Sequence, residues 1–272
     1  MHTLSRQVRF SINPFLPEDL VGANSFASRP AGQGLAVFFE LLICLKGEVN
    51  PETGFVVNVT EIDKCVRKKV VPVFAEKVRA DFATGRHIGF STLKSLLEVT
   101  WQKFLDEFGN LSGNGIEPAR IHLKLNPFRR IWIESKETQM FYFCEKFEFA
   151  ATHKLWNDRL SERENFRVFG KCANPTGHGH NYIVEVAVQT AGRKAGFEQD
   201  AFETVVDDEL IQLVDHKNLN HDISCFVRVN PTVENIASFA WERLEGRFTG
   251  AKLHSITVWE TDKTFCTYYG PH

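Results

Sequence analysis

Hydrophobic and polar positions in the first half of the chain follow two different periods. Apolar residues recur at every second position, as in half-buried strands, at residues 8–12, 55–59, 121–125 and 130–134. They recur three and four positions apart, as in amphipathic helices, at residues 62–79 and 92–108. A strongly apolar run at residues 35–45 predicts one more strand, and Thr60 is expected to cap the first helix.

The second half of the chain shows the same succession of periods. Strands are predicted at residues 140–149 and 181–190, followed by helices at 201–214 and 233–244. Two further strands are predicted at residues 255–259 and 264–268. Apart from the strand predicted at residues 55–59, both halves therefore follow the order strand, strand, helix, helix, strand, strand.

This common order predicts an α+β fold built from two tandem ββααββ units, at residues 1–137 and 138–272. We expect antiparallel sheets with a helix pair on one face of each. Short sequence matches support the repeat: Phe10 aligns with Phe149, and Leu123 with Val258. The segment Gly32-Gln33-Gly34-Leu35 aligns with Gly177-His178-Gly179-His180.

Two histidines stand at the start of the strand predicted after Gly177. His178 and His180 are two residues apart, so both imidazoles point to the same face of the strand. Both can reach one ion, and a catalytic zinc usually takes three protein ligands and keeps one open position. His153 follows another strand-like run and is the best candidate for the third ligand. The alternative is a polar strand end that binds no metal.

Cys172 precedes His178 across a turn that contains proline and glycine. A thiol held close to a divalent cation is favoured as the thiolate. Six cysteines are scattered along the chain without a Cys-x-x-Cys pair, which argues against a zinc finger and against a disulfide framework.

Composition narrows the class of protein further. With 272 residues, 43% of them hydrophobic, the chain can form one large domain or two small ones. A net charge of -2 gives no basic field for nucleic acid, so no nucleic-acid partner is expected. The sequence shows neither a signal-peptide core nor an apolar run of membrane-spanning length. We therefore expect a soluble cytoplasmic protein without a membrane partner.

The segment from Cys172 to His178-Gly179-His180-Asn181-Tyr182 resembles the signature of the 6-pyruvoyl-tetrahydropterin synthase family. His153 stands where that family places its first zinc histidine. The repeated units resemble its tunnelling fold, in which ββααββ units join into a β-barrel with helices outside. The resemblance covers about half of the chain, roughly residues 141–270.

Other residues acquire roles through this resemblance. Asp215 and His216 resemble the family's Asp-His-Lys-Asn-Leu motif, in which the aspartate orients the histidine for proton transfer. From the residues alone, a helix-end histidine beside a solvated aspartate explains them equally well. Glu260 resembles the carboxylate that anchors the pterin ring. Thr232 resembles a residue that touches the pterin, although a helix cap explains it as well.

The resemblance implies a lyase that binds Zn²⁺ through His153, His178 and His180 and acts on 7,8-dihydroneopterin triphosphate. Cys172 would be the general base, with Asp215 and His216 completing the proton transfers. The pterin is the expected small-molecule partner, and a homo-oligomer is expected to close the barrel.

Three alternatives stay open at the level of sequence. One is 6-carboxy-tetrahydropterin synthase, the queuosine-pathway relative with the same chemistry. The second is a non-catalytic module that binds a pterin or purine, and the third is a structural metal protein. The matching positions in the first half, Pro14, Gln33 and Leu35, offer no usual zinc ligand, so this half is expected to be chemically silent.

Overall fold

The computed structural model describes residues 1–15, 36–86, 88–109, 115–135, 140–191 and 196–271. Gln33 and Leu35 lie outside these ranges. The chain divides into two compact units, Met1–Phe143 and Cys144–His272. Within the described residues, no helix combines the length and apolar character that crossing a membrane requires.

The first unit contains an antiparallel sheet in sequential order. Its strands are β1 (His2–Ile12), β2 (Val37–Gly47), β3 (Glu117–Lys124) and β4 (Arg129–Glu134). Side chains at every second position of these strands are buried on one face, including Phe10, Leu41 and Ile121. This alternation is the period of two that predicted the strands.

Three helices cover that buried face of the first unit. They are α1 (Val59–Cys65), α2 (Val71–Ala83) and α3 (Phe90–Phe108), with a π-helical turn at Val66–Val70 between the first two. Helices α1 and α2 contact β1, and α3 contacts β3 and β4. Their buried residues, such as Phe74 and Leu97, join the strand residues in one hydrophobic core.

The strand predicted at residues 55–59 does not form. This segment bends into α1, and Asn58 is the N-cap because its side chain accepts a hydrogen bond from the backbone N–H of Thr60. Thr60 is therefore inside the helix and is not its cap. A cap at Asn58 satisfies one of the backbone donors that the first turn of a helix leaves without an intrahelical partner.

The second unit has a sheet of the same order. It contains the part of β5 (Met140–His153) beyond Phe143, then β6 (His178–Ala191), β8 (Ala251–Thr261) and β9 (Thr264–Tyr268). The short strand β7 (Lys217–Asn218) pairs with β5 in parallel at Ala151 and Thr152. This added strand carries the residues after Asp215 and His216 to the end of β5.

Helices of the second unit lie between its strands in the sequence. They are α4 (Glu162–Phe169), α5 (Gln199–Val206), α6 (Gln212–Val214), α7 (Leu219–Asp222) and α8 (Val233–Leu244). A π-helical turn at Asp207–Ile211 joins α5 to α6, and α8 contacts β8 and β9. The predicted mixture of helices and antiparallel sheet is confirmed.

Candidate metal centre

The ends of two strands place three histidines side by side. His153 is the last residue of β5 and its side chain is only 1% exposed, while His178 and His180 open β6. Gly177 makes the turn into β6 with φ of +69°, and a Cβ on it would lie 2.8 Å from the carbonyl oxygen of His153. Glycine therefore allows the close approach that brings His178 against His153.

The ring nitrogens of these histidines converge on a carboxylate. His153 Nε2 lies 3.0 Å from His178 Nε2, and Glu260 Oε1 lies 3.3 Å from His153 Nε2 and 3.4 Å from His180 Nε2. One ligand atom from each of the four residues lies within 4.8 Å of all the others. This group of four is the candidate metal centre.

A backbone carbonyl fixes the tautomer of His153. Its Nδ1 lies 2.9 Å from the carbonyl oxygen of Pro231, which can only accept a hydrogen bond, so Nδ1 carries the proton. The hydroxyl of Tyr182 lies 3.3 Å from the same nitrogen. The lone pair of Nε2 therefore faces the centre, as a metal-binding histidine requires.

Burial favours the neutral, metal-binding form of two of these imidazoles. Burial lowers the pKa of His153, against the opposing effect of its hydrogen bond to Pro231. Burial also lowers the pKa of His180, although the charge of Glu260 opposes this shift. Among the described residues, buried His178 Nδ1 and His180 Nε2 have no hydrogen-bond partner. Three convergent imidazoles, with ring nitrogens still to be satisfied, fit a zinc ion.

Glu260 lies at the end of β8, next to β6, and its side chain is 19% exposed. The sequence assigned it to the pterin ring and missed its position beside the histidines. Alternation within one strand cannot reveal which strand lies next to β6. The signal available was indirect, since both Glu260 and His180 occur at strand ends.

Cys172 lies on a 3₁₀ turn, Gly170–Ala173, just before the histidine strand. Its carbonyl oxygen accepts a hydrogen bond of 2.9 Å from the backbone N–H of Leu155, which ties this turn to the chain that follows His153. Burial raises the pKa of the Cys172 thiol, and the charge of Glu260 raises it further. The thiol is therefore within electrostatic range of the candidate metal centre but is not one of its four residues.

Asp215 and His216 form a hydrogen-bonded pair at the edge of β5. Asp215 Oδ1 accepts a 2.9 Å hydrogen bond from Ala150 N, and its Oδ2 lies 2.8 Å from His216 Nδ1. These two hydrogen bonds lower the pKa of Asp215. His216 has φ of +54°, and its backbone N–H donates to Ala150 O at 2.6 Å. The aspartate is thus ionised and orients the histidine.

The His216 side chain is 82% exposed, and it lines a pocket of about 510 Å³. The pocket walls are residues 150–152, 179–181 and 216–218, so His180 and His216 share it. Cys172 and Glu260 are not among these lining residues. Within the described second unit, the structure brings His216 to the strand ends but not into the group formed by Glu260 and the histidines.

Thr232 is the N-cap of α8, where its side chain accepts a hydrogen bond from Asn235 N at 3.4 Å. The cap positions the preceding residue, Pro231, whose carbonyl holds His153. Asn220 also has a positioning role that the sequence did not suggest. Its side chain accepts from Lys154 N and donates to Lys154 O, at 2.7 and 2.9 Å, and so holds β7 and α7 beside the end of β5.

Comparison with known proteins identifies relatives of the second unit. The family model described as 6-pyruvoyl tetrahydropterin synthase matches residues 142–271. The human 6-pyruvoyl tetrahydrobiopterin synthase is 37% identical over 128 residues, which cover 46% of this chain and 88% of the human protein. The Drosophila melanogaster enzyme of the same name is 36% identical over 139 residues, covering 48% of this chain and 80% of that protein.

A solved structure of Caenorhabditis elegans 6-pyruvoyl tetrahydropterin synthase is similar to part of this chain. It is 30% identical, with a TM-score of 0.45 over 48% of this chain and 96% of that protein. The human match by itself combines 37% identity with coverage of 88% of that enzyme. This chain belongs to the 6-pyruvoyl tetrahydropterin synthase family.

Proposed function

We propose that the chain is a zinc-dependent lyase of the 6-pyruvoyl-tetrahydropterin synthase type. Its substrate would be 7,8-dihydroneopterin triphosphate, from which triphosphate is eliminated while the side chain is rearranged. One observation carries this proposal. Three histidines meet at the ends of β5 and β6, with the Cys172 thiol within electrostatic range of Glu260, in a chain that belongs to this family.

Zinc would be held by His153, His178 and His180. When bound, it would supply Lewis-acid polarisation of a substrate oxygen, which makes the neighbouring C–H bond more acidic. The Pro231 carbonyl and the Tyr182 hydroxyl would keep His153 oriented during the reaction. Removing either partner should weaken zinc binding, because such hydrogen bonds fix the ligand's tautomer and orientation.

Cys172 would act as the general base. Its thiol must lose a proton before it can take one from the substrate carbon. Burial and the charge of Glu260 both raise the pKa of this thiol. A nearby cation would counter the second of these causes. The base would therefore become active only after the metal centre is loaded, which limits chemistry to a complete site.

His216 would carry out the second proton transfer. Its Nδ1–H is donated to Asp215, which leaves Nε2 free to give or accept a proton. Glu260 would anchor the pterin ring by accepting hydrogen bonds from the 2-amino and ring N–H groups. Thr232 would lie against the pterin from the start of α8.

We also propose that the active form is a homo-oligomer. His216 is 82% exposed, and among the described residues its acidic partner is Asp215. Among the described strands, β9 pairs only with β8, so its other edge offers unpaired backbone groups. Phe265 on this strand is 58% exposed. Joining such edges between copies would close the barrel expected for this fold.

The two units would be tandem copies of one ancestral unit, with residues 1–137 degenerate and residues 138–272 catalytic. In both units the helices that follow the second strand are interrupted by a π-helical turn, a rare feature. Both sheets place one extra residue on the third strand, Ala119 in β3 and His254 in β8. These two residues are separated by the same offset as Leu123 and Val258, the pair aligned from sequence.

A stacked aromatic pair also recurs across the first two strands of each unit. Phe10 stacks on Phe39 at 5.4 Å, and Phe149 stacks on Tyr182 at 4.9 Å. If the two units are aligned so that these aromatic pairs and the extra residues coincide, the residue equivalent to His180 is Val37, whereas the sequence alignment gave Leu35. Valine binds no zinc either, so the first unit would still be chemically silent.

The decisive assay is incubation of zinc-loaded protein with 7,8-dihydroneopterin triphosphate, with the products resolved by mass spectrometry. The proposal predicts the 6-pyruvoyl product and free triphosphate. The 6-carboxy product would support the queuosine-pathway alternative, and no turnover would support a binding module. Cys172→Ala should abolish turnover but retain zinc, whereas Cys225→Ala, at an exposed cysteine, should keep activity.

A further inference from the structure

We propose that Glu260 is the fourth protein ligand of the metal in the substrate-free protein. The inference deepens the proposed function and rests on its zinc site. It assigns to the Glu260 carboxylate a role in binding the metal before the pterin binds. Three arguments carry it: the spacing of the four ligand atoms, the chemistry of the facing atoms, and the backbone that aims the side chain.

Glu260 lies at the spacing of a zinc ligand from two of the three histidines. Four ligands at about 2.0–2.2 Å from a zinc ion lie roughly 3.3–3.6 Å from one another. Glu260 Oε1 lies 3.3 Å from His153 Nε2 and 3.4 Å from His180 Nε2. His153 Nε2 and His178 Nε2 are 3.0 Å apart. A carboxylate that served the pterin alone would not need this spacing.

The chemistry of the facing atoms also favours a positive charge between them. His153 donates its Nδ1 proton to Pro231, so its Nε2 presents a lone pair to the carboxylate oxygen. His180 Nε2 has no hydrogen-bond partner although the same oxygen is close to it. Two electron-rich atoms in a buried site repel each other. A shared cation converts this contact into coordination.

A β-bulge directs Glu260 towards the histidines. Trp259 pairs with Phe265 and Thr261 pairs with Thr264, so Glu260 is an extra residue on β8 without a partner on β9. Such bulges turn a side chain away from the regular alternation and are frequent next to active sites. Trp259 is held beside the bulge by stacking on Phe265 and by Lys146 over its ring.

Coordination by Glu260 has a consequence for substrate binding. Hydrogen bonds from the 2-amino and ring N–H groups of a pterin would withdraw electron density from the carboxylate and weaken its bond to the metal. Pterin binding would draw Glu260 away and open a coordination position for the substrate side chain. The open position that catalytic zinc requires would then appear only when the ring is in place.

Zinc affinity of the full chain tests the inference without using activity. We would measure it by competition with a chromophoric chelator for the wild type, Glu260→Gln and Asp262→Asn. The glutamine keeps the shape of Glu260 but is a poorer ligand, so affinity should fall at least about tenfold. Asp262→Asn removes the same charge from an exposed residue two positions along and should change affinity less than about twofold.

Cobalt replacement adds a direct readout of the ligand set. The visible spectrum of the Co²⁺ protein should change in Glu260→Gln, and adding a pterin that lacks phosphate should shift the wild-type spectrum towards that of the variant. Wild-type affinity in Glu260→Gln, with an unchanged cobalt spectrum, would overturn the inference. If His178→Ala then still loses zinc, the histidine site and the proposed function stand, and only the role of Glu260 falls.

Discussion

At the residue scale, the ionisation of Cys172 depends on the metal centre. Burial and the charge of Glu260 raise the pKa of the thiol, so the metal-free protein should hold it protonated at neutral pH. Its rate of alkylation by iodoacetamide should rise only above the ordinary thiol pKa of about 8.5. Zinc should shift this rise to lower pH. Peptide mapping by mass spectrometry would separate Cys172 from exposed Cys225.

The Glu260→Gln variant provides the control for that pH profile. Without metal, loss of the carboxylate should lower the pKa of Cys172, because one of its two causes has been removed. Asp262→Asn should leave the profile unchanged. Identical profiles for the zinc-loaded and metal-free wild type would contradict a base activated by the metal.

A second titratable residue affects stability. Burial, with Arg120 and Arg130 nearby, lowers the pKa of His122 to about 3, below the value of about 6.5 expected when unfolded. Between these values the unfolded chain binds a proton that the folded chain does not, so stability falls as pH falls. His122→Phe, which keeps a ring against Trp132, should remove up to about 1.4 kcal/mol per pH unit of that loss.

Urea unfolding of both proteins between pH 6 and pH 4 measures this difference. Equal pH slopes for His122→Phe and the wild type would show that His122 titrates normally. The residue belongs to the first unit, so its replacement should leave zinc binding unchanged.

The three histidines could be selected from sequence, because two positions on one strand share a face and His153 ends another strand. The partners that orient these histidines could not be predicted from the sequence. Pro231 acts through a backbone carbonyl, which no residue type reveals. Glu260 enters the centre through a bulge, whose position depends on pairing with β9 rather than on its own strand. Local patterns therefore identified ligand types but not the completed geometry.

At the scale of elements, the turn before β6 determines whether the histidines can meet. Gly177→Ala adds a Cβ that would lie 2.8 Å from the His153 carbonyl, in a residue with φ of +69°. The variant should lose zinc affinity by at least about tenfold, because the turn must move away from His153. Isothermal titration with zinc and thermal unfolding would measure the two effects.

Gly196→Ala is the matched control for this variant. Gly196 has a similar φ of +63°, but a Cβ there would meet nothing within 4 Å. It should cost only the left-handed backbone penalty, about 1–2 kcal/mol, and leave zinc affinity intact. Equal effects of the two substitutions would show that the close approach at Gly177 has no role in the metal centre.

The order of strands and long helices followed from hydrophobic period, since each buries one face. The interruptions within these helices did not follow from the hydrophobic period. The predicted helix at residues 62–79 contains Pro72, whose ring disturbs a regular α-helix and lies just beyond the π-helical turn. The second unit has a π-helical turn without a proline, so proline is not the shared cause. The strand predicted at residues 55–59 is replaced by the start of α1, where the Asn58 side chain caps the helix by a local hydrogen bond from Thr60 N.

At the scale of the whole molecule, the proposal of a homo-oligomer makes a simple prediction. Light scattering at working concentration should give a mass that is a multiple of 31.0 kDa. Phe265→Lys places a charge on the exposed side of edge strand β9 and should shift the distribution towards smaller species. Lys263→Ala, in the adjoining turn, serves as the control. A monodisperse monomer for the wild type would defeat the proposal.

Zinc titration of the metal-free full chain, with triphosphate release as the signal, tests the central claim most directly. Activity should rise from zero and reach its plateau at one zinc ion per chain, because only the second unit offers His153, His178 and His180. His178→Ala should stay inactive throughout, and His122→Phe should match the wild type. A plateau at two zinc ions per chain, or triphosphate release before any zinc is added, would contradict the account.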